Sequence, residues 1–127
     1  MSPQDQKQEN PGAQEARCLY EVTATLTSQE ARDRYLGWLR AGHAAALLSW
    51  ALRAEVSALN PSESSDPSEP QAWRVKSSYV FQDREAYERY VREGAPALRA
   101  EGLALAAELE PLGGVSFTRS LSDVWSC

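Results

Sequence analysis

From Cys18 to Leu26 the chain alternates. Cys18, Tyr20, Val22, Ala24 and Leu26 share one face, and Glu21, Thr23 and Thr25 share the other. A period of two predicts a half-buried strand. The period then lengthens: Ala31, Tyr35, Trp38, Leu39 and Gly42 recur at helical spacing through about His43. Thr27 and Glu30 stand where a capping box would open that helix. Ala44–Ser49 is small and apolar, and periodicity leaves it open between a longer helix and a packed turn. Alternation returns over Trp50–Leu59, with Trp50, Leu52, Ala54, Val56 and Ala58 inward and Arg53, Glu55 and Ser57 outward. Asn60–Pro70 is Pro-, Ser-, Glu- and Asp-rich and reads as a solvated hairpin loop. A third strand is predicted over Ala72–Phe81, with Trp73, Val75, Tyr79 and Phe81 on one face and Arg74, Lys76 and Ser78 on the other.

A broken helix follows. Asp83 suits an N-cap, and Ala86, Tyr87, Tyr90, Val91 and Gly94 make an apolar or small stripe. Gly94 is a helix stop, and Pro96 fits the start of a new helix, where its missing N–H costs nothing. Leu98, Gly102, Leu105 and Leu109 continue the second stripe until Pro111 and Gly113-Gly114. Gly114–Val124 alternates once more, with Val115, Phe117 and Leu121 against Ser116, Thr118 and Ser120.

The order β-α-β-β-α-β predicts an α+β, ferredoxin-like fold: one four-stranded antiparallel sheet with helices on one face. Its first and last strands are antiparallel neighbours. That brings Cys18 toward the end carrying Cys127 and makes a disulfide geometrically conceivable. Met1–Arg17, polar with little to bury, reads as a disordered tail and a possible partner-docking segment. Residues 18–127 then form a single domain.

Charge and hydropathy narrow the function. Thirteen Lys and Arg against 18 Asp and Glu give a net charge of −5, with no basic cluster to track phosphates, so a general nucleic-acid binder is disfavoured. No apolar run is long enough for a membrane span and no apolar segment opens the chain. A cytoplasmic protein with reduced thiols is expected.

His43, the sole histidine, is the candidate general acid or base. Its expected position at a helix C-terminus, where the macrodipole favours the cation, is also a sufficient structural reason for it. The sheet face away from the helices would carry Glu21, Thr23, Thr25, Arg53, Glu55, Arg74, Lys76, Ser78, Thr118 and Ser120. Such a face is either wet or pairs with a second copy to enclose a cavity. In the latter case Arg53, Arg74, Lys76 and Thr118 are the candidate ligand-binding residues. Trp38, Trp50 and Trp73 fall on apolar faces and read as core, while Trp125 is free to lie exposed or cover a dimer contact. Tyr87 and Tyr90 read as packing, and Arg99 and Glu101 as a solvated helix side. One His and two distant Cys make no zinc pattern. Gly113-Gly114 leads from helix to strand, the wrong polarity for a phosphate loop, so no metal or cofactor is expected.

Three stretches carry a family resemblance. They are Tyr20-Glu21-Val22-Thr23, Tyr35-Leu36-Gly37-Trp38-Leu39 ending at His43, and Tyr87-Glu88-Arg89-Tyr90-Val91 with Ala95–Leu103. Here the chain resembles the small, mostly bacterial domain-of-unknown-function family 4286, of the dimeric α/β-barrel superfamily. It departs from that pattern after His43, where Ala44-Ala45 stands in place of an Ile-Pro-like pair. The resemblance implies a homodimer formed by sheet-to-sheet packing, and a small-molecule-binding or interaction module. The alternative it implies is a cofactor-independent monooxygenase- or cyclase-like enzyme on aromatic or polyketide-like substrates, using His43 with groups such as Arg74 or Thr118.

Overall fold

The computed structural model describes residues 16–59, 61 and 72–127. In chain order the elements are β1 (Arg17–Leu26), α1 (Gln29–Trp38), β2 (Arg53–Leu59), β3 (Trp73–Phe81), α2 (Arg84–Glu93), α3 (Ala95–Leu109) and β4 (Val115–Val124). The sheet runs β2-β3-β1-β4, with all three pairings antiparallel. The helices lie against one face, which is the predicted ferredoxin-like arrangement. The expected tail, apart from Ala16 and Arg17, and the Asn60–Pro70 loop, apart from Pro61, lie outside the described residues.

Alternation decides which face each side chain takes. Cys18, Tyr20, Ala24 and Leu26 of β1 and Val75, Ser77, Tyr79 and Phe81 of β3 are buried under the helices. Ala31, Tyr35, Leu39, Ala86, Tyr90, Leu105 and Leu109 meet them from above. Each fully buried Leu or Phe side chain contributes roughly 1.5–3 kcal/mol. Tyr20 is the centre of an aromatic cluster, with ring centroids 5.3–6.1 Å from those of Tyr79, Tyr87 and Tyr90.

Local signals set the helix ends, with one correction. Asp83 caps α2, accepting from the Ala86 N–H at 2.9 Å. The cap of α1 is Ser28 rather than Thr27: its Oγ accepts from the Ala31 N–H at 3.2 Å and donates to the Leu112 carbonyl at 2.8 Å. Thr27 packs against Gly113 instead. The α2–α3 break falls at Gly94, with Pro96 in the first turn of α3.

The segment after α1 departs from the expected pattern. The helix does not end at His43. It widens into a π turn over Leu39–His43, resumes over Ala44–Ala46, and closes with a 3-10 turn at Leu47–Ser49. Gly42, at φ +150°, absorbs the kink. Trp50 and Ala51 donate back to the Leu47 carbonyl, and the first ladder bond of the next strand is Leu52 N–H to Val80 O at 2.7 Å. The second strand therefore begins at Arg53 and not at Trp50. Trp50 instead donates through Nε1 to Glu93 at 3.0 Å and packs its ring edge on Tyr90.

Register places Cys18 opposite Asp123. Cys18 is buried, Cys127 is exposed, and both are free thiols. Among the described residues, no helix is long and apolar enough to cross a membrane.

Candidate binding cavity

Between the helix side of the sheet and helices α1 and α3 lies a cavity of about 330 Å³, within the range of small-molecule sites. Tyr20 and Val22 of β1, Ser77 and Tyr79 of β3, and Phe117 and Arg119 of β4 form its floor. Tyr35, Trp38, Leu39, His43 and Leu47 line it from the first helical segment, and Leu98, Arg99, Gly102 and Leu103 from α3.

His43, the last residue of the π turn, lines this cavity. Its imidazole stacks on the Trp38 indole, with centroids 3.8 Å apart. Its Nδ1 is buried without a hydrogen bond. The Glu101 carboxylate stands 3.6 Å away, too far for a hydrogen bond and close enough to attract a proton. Burial pushes the His43 pKa below its usual 6.5, and Glu101 offsets part of that. Helical turns continue past His43, so no helix C-terminus favours the cation there. The cavity wall thus holds a neutral imidazole at neutral pH, its Nδ1 turned toward Glu101.

Two arginines meet at one phenol. The Arg119 Nε donates to the Tyr20 hydroxyl at 3.1 Å, and the Arg99 guanidinium lies near the hydroxyls of Tyr20 and Tyr87. Burial raises the pKa values of Tyr35, Tyr79 and Tyr90, so these groups stay protonated. Ser77, only 2% exposed, interacts with the Tyr79 hydroxyl and lies 3.5 Å from the Val22 carbonyl.

Of the candidate site residues, His43 alone lines this cavity. Arg53, Arg74, Lys76 and Thr118 lie on the opposite, open face of the sheet. There Lys76 stands 3.6 Å from Glu21, Arg53 pairs with Glu55, and Thr118 is in register with Thr23. Arg99 and Arg119 were not among the candidates. Arg119 had a signal: it occupies the inward phase of β4, between Phe117 and Leu121. Arg99 had almost none. It sits beside the apolar stripe of α3, and only its long side chain brings it back to Tyr20.

A dimeric ferredoxin-like protein from an uncultured marine organism superimposes with a TM-score of 0.64 at 14% identity, over 89% of this chain and 99% of that one. The fold is ferredoxin-like. A second dimeric ferredoxin-like protein, also from an uncultured marine organism, gives a TM-score of 0.56 at 14% identity, over 87% of this chain and 96% of that one. No family model matches the chain, and no curated protein matches it.

Proposed function

We propose that this chain is a cytosolic small-molecule-binding module of the dimeric α/β-barrel type. Two copies pair their open sheet faces, and each keeps one cavity on its helix side. A single observation carries this reading: the aromatic-walled cavity and the helix-free face of the sheet lie on opposite sides of the same strands. Pairing leaves the cavity accessible. Support for pairing comes from the two dimeric neighbours of the same fold, and from Leu19 and Val80, which meet across β1 and β3 on the open face. The resemblance of Tyr87–Val91 and Ala95–Leu103 to family 4286 agrees with it.

His43 favours a second reading, a cofactor-independent enzyme on aromatic substrates. Its imidazole, held neutral by burial and backed by the Glu101 carboxylate at Nδ1, is suited to accept a proton on its other ring nitrogen. Native mass spectrometry of protein purified from its own host tests the first reading. A dimer carrying one small-molecule adduct per protomer is the expected result. A bare monomer overturns the pairing, and a dimer that never carries an adduct reduces the protein to an interaction module. Turnover of an identified adduct by the wild type and not by His43→Gln would move the assignment to the enzyme.

A further inference from the structure

We propose that the cavity selects an aromatic carboxylate, its carboxylate taken by Arg99 and Arg119 beside Tyr20. This rests on the reading of the cavity as a ligand site and names the class of ligand.

The charge arrangement comes first. The Arg119 guanidinium donates to the Tyr20 hydroxyl and lies over the Phe117 ring, and Arg99 lines the same cavity on the Tyr20 side, so two positive charges border one cavity. Among the described residues neither has a carboxylate partner. Glu101, which approaches His43, stands outside the lining. An anion lodged between them would gain two charge-assisted contacts at once. The planar guanidinium fork matches the two oxygens of a carboxylate.

The rest of the cavity describes the remainder of the ligand. The stacked Trp38–His43 pair and the Phe117 ring offer flat faces. Leu103 lines the cavity although its side chain is 70% exposed, so an apolar contact waits at the rim. Burying Leu103 under a ligand recovers the cost of exposing it. A bare inorganic anion would use the arginines and leave these surfaces wet. A neutral ring would use the surfaces and leave the arginines unpaired. An aromatic acid uses both.

The test compares 2-naphthoate with its neutral isostere 2-naphthamide by isothermal titration against the full chain near pH 7. The neutral dye Nile red serves as an independent report on the cavity. The expected result is that naphthoate binds at least tenfold more tightly than naphthamide. In Arg99→Gln and Arg119→Gln that ratio should fall toward one, with naphthamide affinity unchanged. Both arginines are largely exposed, and circular dichroism checks that the variants keep their fold. Equal binding of the two probes, or a ratio that the variants do not move, overturns the carboxylate assignment and leaves the cavity as a ligand site. Binding of Nile red alone does the same. Failure of all three probes overturns the cavity reading and the assignment with it.

Discussion

The Trp38 indole lies over the His43 imidazole, 23° from parallel with centroids 3.8 Å apart. Burial of His43 disfavours its charged form, so its folded-state pKa lies below the unfolded 6.5. In the window below 6.5 the unfolded chain takes up the proton more readily. Stability is therefore full above that window and is lost as pH falls through the folded-state value. Each unit of depression corresponds to about 1.4 kcal/mol. Urea denaturation of wild type and His43→Gln between about pH 7.5 and 5 should show a steeper decline for the wild type. Parallel declines would mean that His43 titrates as it does in the unfolded chain.

Gly94 is held open by Trp50. A β-carbon at that position would sit 2.5 Å from Trp50 Cη2 and 2.7 Å from Cζ3. Gly94→Ala should then cost about 1–3 kcal/mol through overpacking, although alanine is normally the better helix former. Pairing it with Trp50→Leu should return part of the loss in a double-mutant cycle of urea midpoints. Simple additivity would show that the indole is free to move aside.

Ser28 ties the start of α1 to the turn after α3. Ser28→Ala removes the cap on Ala31 and the donor to Leu112 together. We expect a loss of about 1–2 kcal/mol by thermal or urea denaturation. Thr27→Ala removes no cap and should cost less. The reverse order would restore the capping box expected from Thr27 and Glu30.

The proposed dimer makes a separate demand on the open face. Thr23 sits at its centre, in register with Lys76 on one side and Thr118 on the other. Thr23→Arg should shift the protein from dimer to monomer in sedimentation velocity and leave cavity binding intact, because Thr23 and the cavity lie on opposite sides of β1. A dimer unchanged by Thr23→Arg would place the contact elsewhere.

The fold was legible because β1, β3 and α2 hold their period cleanly. Where it was misread, the pattern was locally double. Trp50 and Leu52 continue the inward phase of β2, but Trp50 is held by a 3-10 turn whose hydrogen bonds leave no side-chain trace in the sequence. Gly42 resembles a helix end. In the structure Ala44 and Leu47 are buried beyond it, and that packing carries the helix through the kink. The cavity was harder to see, since its walls come from β1, β3, β4 and three helical segments. Arg119 was visible in principle as a charged residue in an apolar phase. Arg99 was not, because its reach to Tyr20 depends on how α3 lies across the sheet.

Parity runs through every strand of this sheet. Val22 and Arg119 face the helices, while their chain neighbours Thr23 and Thr118 face away. Two surfaces are thus written in the same segments on alternate letters, and substitutions can revise either one while the other stays fixed. A single inserted or deleted residue within β4 cannot. It would turn Arg119 out to the open face and bring Thr118 in beside Tyr20, exchanging the two surfaces at once. Drift along this chain is therefore free to retune ligand and assembly separately by replacement, and is barred from doing so by changes of length.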